Sequence, residues 1–478
     1  MPSDSFPAPV YAATVLRPNF ENAKRRFLNS LLEIHFAHTR MLQRQKILTD
    51  AEASSLMDAL RGLRPEEIAA ARYDGSCEDL FFFVEKLLTL SCGELAGKMH
   101  IARSRNDIDI TLFRMTLRRE LLSLARAIAG SRAALLAMAA DHLETVMPAH
   151  THTQPAQPTT LAHYLLAAAE FLARDAARIR GAFARVNLSP LGACAITTTG
   201  FPIDREMTAG LLGFEGLAEN SYGAIAAVDY LTESAGCVAV AMVNLGKFVQ
   251  DMLLWSTREF GFLRLSDAFV QCSSIMPQKR NPVALEHARI LASRALGEAQ
   301  AIFTCAHNTP FGDINDSEDD LQPLVFAAFA DAASALRLFE GVLKGAQVDR
   351  DKLARAAGRD FMTATELADT LVRQAGMSFR EAHAAVSAAV KAAGDDDRPR
   401  AIAEALIAAN GNLPLTLADI ERALDPGNFV RIRQITGGPA PRVVADALSR
   451  ARQEQSDYEA WIEVKQEKLD ASRRENTA

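Results

Sequence analysis

Long stretches without proline constrain this chain more than any other feature of its sequence. Residues 66–147, 203–276 and 324–397 contain no proline, so helices far longer than the usual length of about 11–12 residues can form there. In the first stretch, apolar residues recur every three, four or seven positions, at Ile110, Phe113, Leu117, Leu121, Leu124, Ile128, Leu135 and Met138. This spacing is the period of one helical face. One helix over 109–144 would be about 54 Å long.

The same period recurs in residues 161–186 and 229–259. The alternating runs of β-branched and aromatic residues that indicate strands are nearly absent. We therefore predict an all-α fold with a central bundle of long helices, broken later at residues 391–400 and frayed over the polar tail 466–478. A long helix that is apolar on much of its surface often packs against identical helices, so we expect a closed homo-oligomer.

Composition disfavours several classes of function. A net charge of −7 argues against a nucleic-acid binder, and we expect no window to approach the roughly 20 apolar residues of a membrane span. The first ten residues, MPSDSFPAPV, lack the basic and apolar regions of a signal peptide. Six scattered cysteines without a C-x-x-C pair indicate reduced, mostly buried thiols. His150 and His152 have no further ligand at metal-binding spacing, so we predict no metal site. The reduced thiols and the lack of an export signal predict a cytoplasmic protein.

Two polar segments interrupt the helices before residue 161. Residues 97–107, GKMHIARSRND, place hydroxyl, guanidinium and amide donors before the long helix, where an anion could bind. A solvated basic turn with a helix cap is the simpler interpretation of that segment alone. Residues 148–160, PAHTHTQPAQPTT, contain three prolines that forbid a helix and hold His152 beside hydroxyl groups. A neutral imidazole there could act as an acid or base, although a lone loop histidine is as often structural.

A third polar segment, QCSSIMPQKRNP, covers residues 271–282. Asn281 as N-cap and Pro282 as the first helical residue form a good helix-start pattern. Ser273 near Lys279, with oriented amides close by, could be activated as a base or nucleophile. The spacing does not fit the G-x-S-x-G elbow of a hydrolase.

The third segment resembles the signature loop of the fumarase/aspartase superfamily, G-S-S-x-x-M-P-x-K-x-N-P, and the other two resemble its remaining active-site regions in the same order. Within that superfamily the chain is most similar to argininosuccinate lyases, through ARSRND (102–107), SPLG (189–192), FPIDREM (201–207), MSFREAH (377–383) and FVRIRQITGGPAP (429–441). The resemblance implies a homotetramer whose active sites are each built from three subunits. It also implies a bundle domain over 108–357 between smaller helical end domains over 1–107 and 358–478.

The resemblance further implies a carbon–nitrogen lyase of the amidine- or ammonia-lyase type, which releases fumarate by anti elimination. Ser273 matches the family's catalytic base, Lys279 a donor to the reacting carboxylate, and His152 the family histidine with Glu286 as its carboxylate partner. The candidate substrate-binding residues are Ser104, Arg105, Asn106 and Thr151 at the fumarate end and Ser274, Gln278 and Asn281 in the signature loop. No metal or organic cofactor is implied, because the substrate carboxylate itself takes up the electrons. The implied partners are a small-molecule substrate and other copies of the chain, not a nucleic acid or a membrane.

Departures from the family pattern concern the leaving group. Glu78–Asp79–Leu80 is followed by Phe81, where argininosuccinate lyases have a histidine. In the late segment Thr309–Pro323, the Tyr, Gln and Lys that hold the arginine moiety are replaced by Asp313, Glu318 and Leu321. Cys272 stands where the family has glycine, and nothing in the sequence explains that change.

The acidic late segment favours a leaving group other than arginine. A pocket lined by Asp313 and Glu318 would suit a cationic amine or diamine, as in lyases that act on ethylenediamine-N,N′-disuccinate, and this is the first hypothesis. An argininosuccinate lyase is the alternative, an adenylosuccinate lyase a distant third, and a non-catalytic crystallin-like protein a separate class. The acidic run also reads as a helix start, since Ser317-x-x-Asp320 is a capping box.

Overall fold

The structure, a computed structural model, describes residues 6–394, 396–411 and 413–477. Half of the N-terminal segment that argues against a signal peptide, residues 1–5, lies outside the described part. The α-helices are Pro9–Tyr11, Arg17–Arg26, Leu28–Arg44, Asp50–Gly62, Pro65–Ala70, Leu80–Cys92, Leu95–Lys98, Arg105–Asp141, Leu161–Val186, Arg205–Leu211, Ser221–Ala226, Asp229–Trp255, Val283–Ala306, Gln322–Gly345, Arg350–Ala357, Ala364–Ala375, Phe379–Ala393, Pro399–Ala409, Leu417–Ala423, Pro426–Arg431 and Pro441–Thr477.

Strands are few and short, so the prediction of an all-α fold is confirmed. The antiparallel pairs are Val146–Thr151 with Gln154–Thr160, Leu263–Arg264 with Gln347–Val348, and Gln271–Cys272 with Arg280–Asn281. A π-helical turn covers Ala12–Leu16, and 3₁₀ turns cover Asp267–Phe269 and Asn315–Ser317.

The helix Arg105–Asp141 is the axis of the bundle, and the helix predicted over 109–144 is thereby confirmed. Its sides are buried along most of its length because other long helices pack around it. Ser131 Oγ donates to the Leu336 carbonyl at 2.9 Å, and Arg132 Nε donates to the Ala169 carbonyl at 3.2 Å. These bonds tie the axis to the helices on either side of it.

The bundle has two ends that carry different chemistry. We call the end at which Arg105–Asp141 begins the leading end, and the end at which it stops the trailing end. The helix Asp229–Trp255 begins at the leading end, where Arg114 lies over the Tyr230 ring at 4.2 Å. It stops at the trailing end, where the helix Leu161–Val186 begins. The axis has 37 residues, so the ends lie about 54 Å apart.

The smaller helical region after residue 357 has its own apolar core. Leu371, Ile402 and Ile420 belong to a cluster separate from the main core. The break predicted within 391–400 is confirmed, since one helix ends at Ala393 and the next begins at Pro399; residue 395 lies outside the described part. The division into domains at 107 and 357 remains a prediction.

The predicted fraying of residues 466–478 is wrong for the described residues, because the last helix continues to Thr477. Leu469 is buried, and the buried Asn476 amide donates to the Glu33 carbonyl at 2.7 Å. Arg40 in turn donates to the Asn476 carbonyl at 3.2 Å. A few inward-facing side chains therefore hold a mostly polar helix against the bundle.

The helix start predicted at Asn281 and Pro282 is displaced by one residue. Asn281 pairs with Gln271 in a short strand, and the helix begins at Val283 with Pro282 as its N-cap. Because the Asn281 backbone is used in the strand pair, it does not serve as the cap.

Two helices, Arg105–Asp141 and Asp229–Trp255, are long and apolar enough by length and composition to cross a membrane. The expectation that no window is sufficiently apolar is therefore wrong. The most apolar window of the first helix is 67% buried inside the fold, as in a core helix, and that of the second is 44% buried. The second helix exposes Val240, Val243 and Leu254.

All six cysteines are free thiols in the structure. Only Cys194 and Cys237 are buried, whereas Cys272 and Cys305 are exposed. The prediction of mostly buried thiols is therefore wrong, since burial applies to two of the six.

Candidate active site

The first polar segment forms a rigid cap at the leading end. Ser104 is the N-cap of the axis helix, and its backbone N–H donates to Asp107 Oδ1 at 2.9 Å in a capping box. Ser104 Oγ accepts weakly from the Asn106 N–H at 3.4 Å and donates to Asn106 Oδ1 at 2.9 Å. Helix capping thus orients two of the predicted substrate-binding side chains.

Arg105 is engaged by carboxylates of its own chain. Its Nη1 lies 2.5 Å from Asp79 and 3.2 Å from Glu78, and its guanidinium lies over the Phe82 ring at 5.1 Å. These carboxylates raise the pKa of Arg105 against the opposing effect of its burial. The structure therefore places Arg105 in an ion-pair cluster beside the segment.

The acidic late segment meets the first segment at the leading end. Asn106 Nδ2 donates to Asp313 Oδ2 at 2.5 Å. Tyr222 contacts the late segment as well. Its hydroxyl donates to the Phe311 carbonyl at 3.2 Å, and the centroids of the two stacked rings lie 5.8 Å apart. A residue predicted to bind fumarate and a residue predicted to select the leaving group are thus direct neighbours.

A polar cleft of about 170 Å³ opens where the two segments meet. Its lining residues are Tyr11, Val15, Leu16, Asn19, Glu78, Asp79, Arg105, Asn106, Asp109, Asp313, Asn315, Glu318, Asp319 and Asp320. Carboxylates outnumber cations in this lining, so the cleft favours a positively charged guest. Leu321 is buried in the core and does not line it.

The pKa values of several carboxyl groups in the cleft are raised, because these groups are buried and lie close together. Burial, and then the hydrogen bond and charge of Asp313, raise the pKa of Glu318 to about 8. Burial, and then the charge of Asp79, raise the pKa of Asp319 to about 6. The pKa of Asp109 is also raised, first by burial and next by Asp319. Each of these groups would gain from a nearby cation, which stabilises the ionised form.

Sequence reasoning missed Asp109 and Asp319 as cleft residues. Asp109 follows Arg105 by four positions and so lies on the same helical face, a signal that the sequence does offer. The capping box predicted at Ser317 is wrong. Ser317 Oγ donates to the Ile314 carbonyl at 3.1 Å, and the next helix begins at Gln322 without a side-chain cap.

At position 81, where the resemblance leads us to expect a histidine, the structure has a packed aromatic ring. Phe81 is buried and lies 5.4 Å from His100 and 6.0 Å from His35, between ring centroids. The buried Arg103 Nη1 donates to His35 Nδ1 at 2.9 Å. Burial, and then the charge of Arg103, hold the pKa of His35 well below its usual value. The imidazole therefore stays neutral and can accept this bond.

The second polar segment forms a β-hairpin at the trailing end, in keeping with the prediction that it is not helical. His152 and Thr153 are its two turn residues, between the paired Thr151 and Gln154. Both have positive φ angles, 52° and 61°, which such turns normally give to asparagine and glycine. Left-handed non-glycine residues concentrate at functional sites, and the exposed His152 is held at the tip of this hairpin.

The third polar segment, residues 271–282, is the signature loop, and it also lies at the trailing end. Ser273 Oγ accepts from the N–H groups of Ile275 at 3.3 Å and Met276 at 3.1 Å. These donors would stabilise an alkoxide on Ser273 and so favour its action as a base. The loop is closed by the strand pair and by Arg280, whose Nη2 donates to the Leu265 carbonyl at 2.8 Å.

The predicted site residues fall into two groups. The leading end holds Ser104, Arg105, Asn106, Asp313 and Glu318, and the trailing end holds Thr151, His152, Ser273, Ser274, Gln278, Lys279, Asn281 and Glu286. Within the described residues, no hydrogen bond or ion pair joins His152 to Glu286 or to Ser273. Because the ends lie about 54 Å apart along the axis helix, one chain cannot bring both groups to one substrate.

Comparison with known proteins identifies relatives along nearly the whole chain. A family described as "Lyase" matches residues 79–297, and one described as "Argininosuccinate lyase C-terminal" matches residues 361–431. Argininosuccinate lyase 2 of Agrobacterium fabrum is 41% identical over 96% of this chain and 93% of its own length. The argininosuccinate lyase of Methanoculleus marisnigri is 41% identical over 92% of this chain and 90% of its own length.

Solved structures give the same fold. A variant of ethylenediamine-N,N′-disuccinate (EDDS) lyase with bound fumarate is 34% identical and covers 98% of this chain and 94% of its own, with a TM-score of 0.86. Class II fumarase of Schistosoma mansoni shares the fold alone, with 17% identity, a TM-score of 0.71, and coverage of 89% of this chain and 96% of its own. The predicted fumarase/aspartase-type architecture is confirmed.

Proposed function

Because this chain belongs to the argininosuccinate lyase branch of the fumarase/aspartase superfamily and is a fumarate-forming carbon–nitrogen lyase, we propose that it cleaves an N-substituted aspartate whose leaving group is cationic. The observation that carries this proposal is the contact between Asn106 and Asp313. It places the acidic cleft directly beside the residues that we assign to the fumarate end. The lyase assignment also leaves the non-catalytic, crystallin-like alternative without support.

Argininosuccinate is the first candidate substrate. The departures of the late segment alone put an aminocarboxylate first. The two argininosuccinate lyases named above are 41% identical over 96% and 92% of this chain, against 34% for EDDS lyase, which reverses that order. A guanidinium group stays charged at any physiological pH. It therefore complements the carboxylates of Asp313 and Glu318 without a change in its own protonation.

Ethylenediamine-N,N′-disuccinate is the second candidate. It is favoured by the similarity to EDDS lyase over 98% of this chain. It is also favoured by the absence, in the sequence of the late segment, of the three ligands that argininosuccinate lyases use for arginine. Its leaving group carries an amine that can be cationic, so the same acidic cleft would accept it.

In the proposed reaction, Ser273 removes a proton from the substrate carbon that lies next to a carboxylate. The electron pair moves into that carboxylate, where Lys279 and Asn281 would stabilise the growing negative charge. Preorganised donors of this kind are usually the largest catalytic contribution, each worth roughly 10²–10³ in rate. The electron pair then returns to form the carbon–carbon double bond of fumarate as the bond to the cationic, protonated nitrogen breaks. The amine departs with the bonding electrons as a neutral molecule, and the abstracted proton stays on Ser273 until it passes to solvent. Ser104 and Asn106 would hold the second carboxylate of the product fumarate.

We further propose that the working protein is a homotetramer. The two groups of site residues then come from different subunits, with His152 oriented by the carboxylate of Glu286. The helix Asp229–Trp255 exposes Val240 and Val243, and the signature loop exposes 83% of Ile275. Exposed apolar side chains of this kind suit a surface that another subunit covers. We expect such an enzyme to act in the cytoplasm, without a nucleic-acid or membrane partner.

The reverse reaction tests the substrate assignment. Purified protein is incubated with fumarate and, separately, with arginine, ethylenediamine, longer diamines or neutral amino acids, and the loss of fumarate absorbance is followed. We expect arginine to be the best acceptor and neutral amino acids to react poorly. Ethylenediamine as the best acceptor would replace argininosuccinate by the second candidate. Equal reaction with uncharged amines would contradict a cation-selective cleft.

A further inference from the structure

A single buried carboxylate connects the first polar segment to a distant loop. Asp107 is fully buried, and its two oxygens accept three backbone N–H groups. Oδ1 accepts from Ser104 at 2.9 Å, and Oδ2 accepts from Gly192 at 2.8 Å and Cys194 at 2.9 Å. A carboxylate with several N–H donors is stabilised in place even where burial opposes its charge.

The loop 189–194 is fastened to the segment by a second bond. The Cys194 thiol donates to the Ala102 carbonyl at 3.2 Å. Ala102 has a positive φ angle of 61° and Cys194 one of 54°, so both backbones are in a conformation that needs outside support. The loop thus contacts the segment on both sides of Ser104, at residues 102 and 107.

Arg205 supports the loop from behind. Its Nε donates to the Leu191 carbonyl at 2.9 Å, and its Nη2 donates to the Ala218 carbonyl at 3.0 Å. Gly192 has a φ angle of +88°, and a Cβ atom there would lie 2.7 Å from Arg205 Cγ. Only glycine allows this close approach without a shift of the guanidinium chain.

We propose that Asp107 is a positioning residue for dicarboxylate binding. It fixes the backbone of Ser104, Ser104 fixes the Asn106 side chain through Oγ, and the loop 189–194 with Arg205 fixes Asp107. The loop therefore belongs to the working site without touching the substrate. This inference rests on the proposed function, because it takes Ser104 and Asn106 as the residues that hold fumarate.

The test is direct fumarate binding by isothermal titration calorimetry on the assembled protein, with Asp107→Asn against Asp175→Asn. Asp175 is an equally buried carboxylate in the helix Leu161–Val186, where it accepts from Arg178 at 2.8 Å. We expect at least tenfold weaker fumarate binding in Asp107→Asn, because one amide oxygen cannot accept all three N–H groups. We expect Asp175→Asn to lower the melting temperature but to keep the fumarate Kd within twofold. A fumarate Kd in Asp107→Asn that matches wild type would overturn the proposal.

Arg205→Lys is a second variant for the same binding assay, in case Asp107→Asn does not fold. Lysine keeps the charge but has no fork to reach both carbonyl groups. We expect this variant to bind fumarate more weakly by severalfold, and unchanged binding would contradict the role of the loop. Fumarate binding by the Asn106→Ala variant that matches wild type would instead refute the placement of fumarate at Ser104 and Asn106. The two failures are therefore distinguishable, and neither depends on which amine leaves.

Discussion

The protonation state of Glu318 in the acidic cleft should change when a cationic ligand binds. Its pKa is raised to about 8, first by burial and then by Asp313, so the side chain is mostly protonated at pH 6. A guanidinium in the cleft favours the ionised carboxylate. Binding of arginine therefore releases a proton from Glu318, and the affinity for arginine rises as the pH rises from 6 to 8.

The size of this effect follows from the raised pKa. With a pKa of about 8, the ionised fraction of Glu318 grows from about 1% at pH 6 to about 50% at pH 8. A ligand that bound only the ionised form would gain about fiftyfold in affinity. Solvent screens this partly exposed side chain, which reduces the expected gain to on the order of tenfold, or about 1.4 kcal/mol.

Isothermal titration calorimetry of arginine at pH 6, 7 and 8, in two buffers of different ionisation enthalpy, measures both the affinity and the proton release. The matched control is Glu318→Gln, which keeps the shape of the side chain and removes its titration. In that variant the affinity should rise less steeply over this range, since Asp319, whose pKa is raised to about 6, and Asp109, whose pKa is also raised, still lose protons in the cleft. A wild-type affinity independent of pH, or the same slope in Glu318→Gln, would refute the assignment of Glu318 to the cation subsite.

Three further predictions concern the base, the assembly and the loop. Ser273→Ala should lose activity by roughly 10³-fold or more while the protein keeps its elution volume in size-exclusion chromatography; near-normal turnover would exclude the serine base. Co-expression of Ser273→Ala with Asn106→Ala should restore part of the activity that each variant lacks, because hybrid assemblies contain sites with both residues intact; no recovery would place both residues in one chain's site. Gly192→Ala should lower the melting temperature, with a loss of about 1–3 kcal/mol from strain at φ +88° and the approach of Arg205; an unchanged melting temperature would show that the loop can relax.

Features that depend on local sequence could be predicted. The helix Leu161–Val186 follows from its apolar period alone and begins and ends where that period does. The cap at Ser104 follows from the residue types at the start of the axis helix. The three polar segments were recognisable because proline, glycine and polar side chains interrupt apolar periods.

Features that depend on tertiary packing could not be predicted in this way. Asn106 and Asp313 are 207 positions apart in sequence, and no local pattern indicates that they touch. From the sequence, Arg105 is predicted to be an anion-binding donor. Its ion pair with Asp79 depends on tertiary packing, which the local sequence does not indicate. The polar tail reads as frayed because only a few of its residues, such as Leu469, face the bundle.

Fumarate release from argininosuccinate by the assembled protein tests the central claim most directly. We predict that wild type converts argininosuccinate to equal amounts of fumarate and arginine, faster than it releases fumarate from ethylenediamine-N,N′-disuccinate, and that Ser273→Ala releases fumarate roughly 10³-fold more slowly or not at all. Assembled wild-type protein that binds fumarate but forms none from either compound would contradict the account.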